Sequence, residues 1–213
     1  MPACREVSCK EFTAIIQKTR EVFARSVAER LVAQYVLMRA VGLRVGEACQ
    51  LRVRDVSTGG RVGNYGTIPA AMTKTKESRS MDLSQPVQRQ LRAWFKYSGL
   101  GQHPDRYLFP PTPGGHSDQP FYRTDDHVDH RTVRKALRHV CQLLGLPPGI
   151  STHSLRQTFA QAVHVALGND LYQTQHALRH KNISSTIHYL RLDTRRVSSA
   201  ILHLFEKRRA VAT

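Results

Sequence analysis

The chain has 213 residues and carries 32 Lys and Arg against 16 Asp and Glu, a formal net charge of +16. Such an excess attracts polyanions, nucleic acid first among them. The 40% hydrophobic share argues against a disordered chain. No apolar run approaches the ~20 residues a membrane-spanning helix needs.

The N-terminal MPACREVSCK lacks the apolar stretch of a secretory signal. Cys4, Cys9, Cys49 and Cys141 are irregularly spaced with no C-x-x-C pair. That usage fits reduced thiols and a cytoplasmic protein. His127 and His130 lie near Asp125, Asp126 and Asp129, yet there is no H-E-x-x-H and no Cys close by. No metal site is expected there.

In chain order, Ser8 and Glu11 read as a capping box opening a helix through about Arg20, with Phe12, Ile15 and Ile16 on its apolar face. A second helix is predicted from about Ser26 to Ala40, turning either Leu31, Tyr35 and Met38 or Val32 and Val36 inward. Gly42 breaks it, and a short helix follows from Val45 to Leu51. From Ser57 to Leu83 the glycines 59, 60, 63 and 66 mark turns. Short extended segments at Thr67 to Met72 and Arg79 to Leu83 predict two or three strands of one small antiparallel sheet, joined near Lys76 and Glu77.

Helical periodicity returns from Ser84 to Tyr97, with Val87, Leu91, Trp94 and Phe95 on one side. Residues 99–120 read as a loop in which Tyr107 to Phe109 form a short extended anchor. Helices are expected again from His130 to Leu144, from His153, and in two or three further pieces to the end, the last about Thr194 to Lys207. The fold class is therefore mainly α with a small antiparallel β-sheet (α+β).

Three segments carry candidate chemistry. In Gly42-Leu43-Arg44-Val45-Gly46-Glu47, Arg44 and Glu47 sit at i, i+3 at the mouth of a helix. Alone, they fit an exposed salt-bridging pair better than a catalytic one, because such pairs are common. In Thr152-His153-Ser154-Leu155-Arg156, an Arg that can fork onto phosphate oxygens lies three residues after a His able to exchange a proton near neutral pH. The third segment is Leu178-Arg179-His180-Lys181, followed by Thr186-Ile187-His188-Tyr189. Taken alone, Tyr189 could be an ordinary core tyrosine.

Together and in this order, GLRVGE, HSLR, LRH and Tyr189 nine positions after His180 resemble the tyrosine recombinase (phage integrase) family. The resemblance runs from about Ser8 to Phe205. It implies a site-specific DNA recombinase that breaks and rejoins DNA through a 3′-phosphotyrosine intermediate, with no cofactor, metal or ATP. Tyr189 resembles the nucleophile, and Arg44 and Arg156 the two arginines that clamp the scissile phosphate. His153 and His180 resemble the family's two histidine positions, and Glu47 the acidic residue that orients the site. Lys74 resembles the lysine on the turn between two strands, with Lys76 its rival.

These residue types suit the chemistry. A phenol with a pKa near 10 is a weak nucleophile until a base or cations assist it. Attack on a phosphodiester builds negative charge that fixed guanidiniums stabilise, and a lysine can protonate the leaving oxygen.

DNA contacts are expected from Arg123, Arg131, Arg134, Lys135 and Arg138 around the helix after the long loop, where a solvated helix face is the competing reading. Lys76, Arg79, Arg179 and Lys181 beside the catalytic segments are further candidates. Arg179 departs from the family's pattern, which has glycine there, and Gln157 stands where a histidine often follows.

The resemblance begins at about residue 8, so the family's N-terminal core-binding domain is expected to be absent from residues 1–213. Residues 1–213 are therefore expected to form one catalytic domain, with 194–213 as a C-terminal helix and tail for subunit contacts. The chain is either a fragment or a member of a small class lacking that arm. The implied partners are double-stranded DNA at specific recombination sites and further copies of the chain, monomeric in solution and assembled on DNA as a tetramer, with no membrane. Two alternatives share the fold: a type IB topoisomerase-like relaxation activity and a non-catalytic DNA-binding regulator.

Overall fold

A computed structural model describes residues 4–73, 76–112, 125–178 and 186–187. The chain divides into two compact units, Met1–Ala162 and Val163–Thr213. The first is built from helices α1 (Cys9–Val22), α2 (Arg25–Val41), α3 (Val45–Gln50), α4 (Gln85–Ser98) and α5 (His130–Leu143), and from strands β1 (Ser57–Thr58), β2 (Arg61–Val62), β3 (Tyr65–Ile68) and β4 (Arg79–Asp82). Helix α6 (Thr152–Ala166) begins in it and crosses the boundary, and α7 (Leu171–Leu178) belongs to the second unit.

Helix α1 starts where the capping box places it. Ser8 Oγ accepts from the Glu11 backbone N–H, and Glu11 Oε2 accepts from that of Ser8 at 2.9 Å. Arg5 donates to the same carboxylate at 2.6 Å and draws the Glu11 pKa down to about 2, against the opposing effect of burial.

Helix α2 is central. α1, α3 and α4 pack against it, and Leu31, Val32, Tyr35, Leu37 and Met38 are fully buried. The sequence offered two alternative inward faces. The structure buries nearly all of both, because neighbours lie on several sides, and only Val36 stays partly exposed. Helix α4 buries Val87, Leu91, Trp94 and Phe95 as its periodicity predicts. The indole N–H of Trp94 donates to Leu108 O at 2.8 Å. Tyr107 bridges to Arg52, and Leu108 N–H donates to Leu51 O at 2.7 Å, so the segment 107–109 is the expected anchor in its loop.

The β region differs from the single expected sheet. It forms two separate two-stranded antiparallel sheets, β1 with β2 and β3 with β4. The first is a tight hairpin over Gly59 and Gly60, both at positive φ. In the second, Tyr65 pairs with Asp82 and Ile68 with Arg79. The extended segment expected to reach Met72 stops at Ile68. Pro69 has no N–H for the ladder, and residues 70–72 turn into a 3-10 helix.

No helix among the described residues is long and apolar enough to cross a membrane. The expected C-terminal helix at 194–207 lies outside the described residues.

Candidate active site

Helix α2 ends on Gly42, whose backbone is left-handed (φ +73°) and whose N–H returns to Met38 O at 3.0 Å. A Cβ at this position would stand 2.2 Å from the Phe159 ring. The bare glycine lets α6 pass close to the end of α2. Arg156, one turn before Phe159, then donates its Nη1–H to the Gly42 carbonyl. Arg156 is buried, and Leu155 beside it is fully buried. A contact spanning more than a hundred residues thus sets one arginine of the expected clamp beside the strand of chain that leads to the other.

Arg44 is the N-cap of α3. Glu47, at the third helical position, reaches back so that Oε2 accepts from the Arg44 backbone N–H at 2.7 Å, while Oε1 accepts from Arg44 Nη1 at 3.0 Å. The exposed-pair reading does not hold, because Glu47 is buried. Oε1 also accepts from Arg79 Nη2 at 2.7 Å. Burial alone would push the Glu47 pKa up. The Arg44 backbone hydrogen bond and the charges of Arg79, Arg44 and Arg156 outweigh it and hold the carboxyl below its ordinary value. Glu47 is therefore ionised at neutral pH.

His153 lies on the first turn of α6, which Ser151 and Ser154 organise. Ser151 Oγ accepts from the His153 backbone N–H at 3.2 Å, and Ser154 Oγ donates to Gly149 O at 3.0 Å. Its imidazole pKa is lowered, first by partial desolvation and then by the positive charges of Arg134, Arg156 and Arg44. Four cationic or proton-exchanging side chains from α3, α5 and α6 therefore share one field. Helix α5 presents Arg131, Arg134, Lys135 and Arg138 to solvent, while Val133, Ala136, Leu137 and Val140 are buried.

The structure brings together Arg44, Glu47, His153 and Arg156, with Arg79 and Arg134 beside them. Lys76 is exposed on the β3–β4 turn at positive φ. That turn is tied by Glu77 N–H donating to Thr73 Oγ1 at 3.2 Å. Lys74, His180 and Tyr189, along with Arg123, Arg179 and Lys181, lie outside the described residues. Among the described residues no group of three His, Cys, Asp or Glu side chains is placed to hold a metal ion. Asp125 pairs with Arg106 at 3.5 Å, Asp126 Oδ1 accepts from the His127 backbone N–H at 2.7 Å, and the His127 ring packs edge-on against Tyr107.

Two features of the site have no signature in local spacing. Arg79, expected among the DNA contacts, donates to Glu47. No local spacing announces a pairing across 32 positions. Gly42, expected as a helix breaker and as the first residue of GLRVGE, also permits the close approach of Phe159.

The model of the phage integrase family matches residues 6–196. Among curated proteins, the tyrosine recombinase XerC of Methylobacterium sp. (strain 4-46) is 30% identical over 174 residues, covering 82% of this chain and 49% of that protein. A tyrosine recombinase of Pseudothermotoga lettingae is 27% identical over 192 residues, covering 90% of this chain and 59% of that protein. Among solved structures, the XerH site-specific recombinase bound to a palindromic difH substrate, in a post-cleavage complex, matches with a TM-score of 0.68 at 20% identity, covering 92% of this chain and 51% of that one. A lambda integrase dimer bound to a COC′ core site matches with a TM-score of 0.59 at 16% identity, over 89% and 48%.

The chain belongs to the phage integrase family, and its fold is that of tyrosine recombinase catalytic domains. It spans about half the length of the curated relatives it matches.

Proposed function

We propose that this chain carries the catalytic centre of a site-specific DNA recombinase with Tyr189 as its nucleophile. The carrying observation is the meeting of Arg44, Glu47 and Arg156, with His153 in the field of both arginines, in a member of this family, Glu47 being ionised between guanidiniums. Arg44 and Arg156 bind the non-bridging oxygens of the scissile phosphate. Tyr189 Oη attacks phosphorus and forms the 3′-phosphotyrosine bond as the bond to the 5′-oxygen breaks. Lys74, with Lys76 as its rival, delivers a proton to that oxygen. His180 accepts the phenolic proton, and His153, neutral in this cationic field, hydrogen-bonds a phosphate oxygen. A 5′-hydroxyl from another strand reverses the step and releases Tyr189, so the bond energy is conserved and ATP is not consumed.

Substrate binding fits the charge distribution. Arg131, Arg134, Lys135 and Arg138 on α5 offer contacts to the DNA backbone next to the site. The active species on double-stranded DNA is an assembly of copies, a tetramer formed from monomers at the recombination site.

The reading is tested by trapping on a nicked suicide duplex carrying the cognate site, in EDTA. A covalent protein–DNA adduct supports it. Specific binding with no adduct would favour a DNA-binding regulator instead.

A further inference from the structure

We infer that Arg79 is a positioning residue of the recombinase site, holding Glu47 so that Arg44 keeps its charge available to the phosphate and the lysine-bearing turn stays registered to it. The inference deepens the proposed function and rests on it.

One carboxylate oxygen, Oε1 of Glu47, accepts from two guanidiniums, Arg44 at 3.0 Å and Arg79 at 2.7 Å. The shorter contact is to Arg79. The Arg79 side chain is 13% exposed and that of Arg44 35% exposed, so Arg44 is the one a phosphate can reach.

The charges favour the same assignment. A carboxylate paired with Arg44 alone would cancel the cation that the phosphate needs. Shared between two guanidiniums, it orients Arg44 through the Arg44 N–H and Nη1 contacts and leaves a net positive charge at the site.

The position of Arg79 in the chain adds a mechanical role. Arg79 opens β4 opposite Ile68, the last residue of β3, so it stands at the base of the turn on which Lys76 lies. Its bond to Glu47 joins that hairpin to α3. The residue that clamps the phosphate and the turn that supplies the proton are thereby referenced to one buried carboxylate. A long side chain committed to a buried acid is poorly placed for a separate phosphate contact.

The test uses the full chain and a nicked suicide duplex, comparing wild type with Arg79→Ala and Arg79→Lys under single-turnover conditions at saturating protein. Arg79→Ala is expected to slow cleavage of bound DNA about 10- to 100-fold, the scale of an ångström-level misplacement. DNA affinity and its slope against log salt should stay at wild-type values. Arg79→Lys, which keeps a cation for Glu47, should recover most of the rate and guards against loss of fold in the alanine variant.

Unchanged cleavage with weaker binding and a salt slope reduced by about one would identify a direct phosphate contact and overturn the inference. Should wild type itself form no adduct, the proposed function fails on its own. The positioning role is then read from the Glu47 carboxyl by NMR titration. A rise in its pKa in Arg79→Ala supports the role, and an unmoved pKa refutes it.

Discussion

Replacing Gly42 by alanine should damage this protein more than any other single added methyl group near the site. Two costs add. The left-handed backbone at φ +73° penalises a Cβ by about 1–2 kcal/mol. The new Cβ would also sit 2.2 Å from Phe159 Cδ1, an overlap that forces α6 or the ring to shift, at about 1–3 kcal/mol. Together these give about 2–5 kcal/mol, or a fall in Tm of roughly 4–20 °C for a chain of this size.

Urea denaturation of Gly42→Ala in the wild-type and Phe159→Ala backgrounds separates the two parts. Only the backbone penalty should remain once the ring is gone, so the double-mutant cycle should show a coupling of at least ~1 kcal/mol. Shifting α6 should also disturb Arg156, whose guanidinium rests on the Gly42 carbonyl. A loss below ~0.5 kcal/mol in the wild-type background would refute the close approach. An equal loss in both backgrounds would refute the role of Phe159.

Other outcomes follow from the charges. Glu47→Gln leaves Arg44 and Arg79 facing each other, and should cost about 1–3 kcal/mol at pH 7 by urea denaturation, discounted because Arg44 is partly solvated. Since the folded-state pKa of Glu47 is lowered, its contribution is complete above the unfolded value and is lost as pH falls through the folded one. The gap between wild type and Glu47→Gln should therefore shrink on acidification, and a gap independent of pH would contradict the pairing. His153 should titrate below its ordinary value in NMR, and its midpoint should rise in Arg134→Ala, where one neighbouring cation is gone. Stability linked to His153 is then full above its unfolded pKa and lost as pH falls through the lower folded one. Arg134→Ala and Arg138→Ala should each reduce the slope of log affinity for DNA against log salt by about one, and an unchanged slope would place α5 away from the backbone.

The sequence made the local elements readable and left the long-range ones hidden. The Ser8–Glu11 box, the glycine stop at 42 and the periodicity of 84–97 act within one or two helical turns, and each appears where expected. The split into two sheets depends on which strands pair, and the end of β3 on Pro69, and apolar periodicity reports neither. At the site, Arg44, Glu47, His153 and Arg156 were legible as residue types from the order and spacing of their motifs. The pairing of Arg79 with Glu47 and the seat of Arg156 on Gly42 span 32 and 114 positions, and only the folded chain discloses them. Lys74, His180 and Tyr189 lie outside the described residues, so their roles rest on motif order and family membership.

The most direct test of the central claim is covalent trapping with Tyr189→Phe beside wild type, on a nicked suicide duplex in EDTA, resolved by denaturing gel. The account predicts a protein–DNA adduct for wild type that disappears when the single phenolic oxygen is removed. An adduct that survives in Tyr189→Phe would assign the nucleophile to another residue and contradict the mechanism proposed for this site.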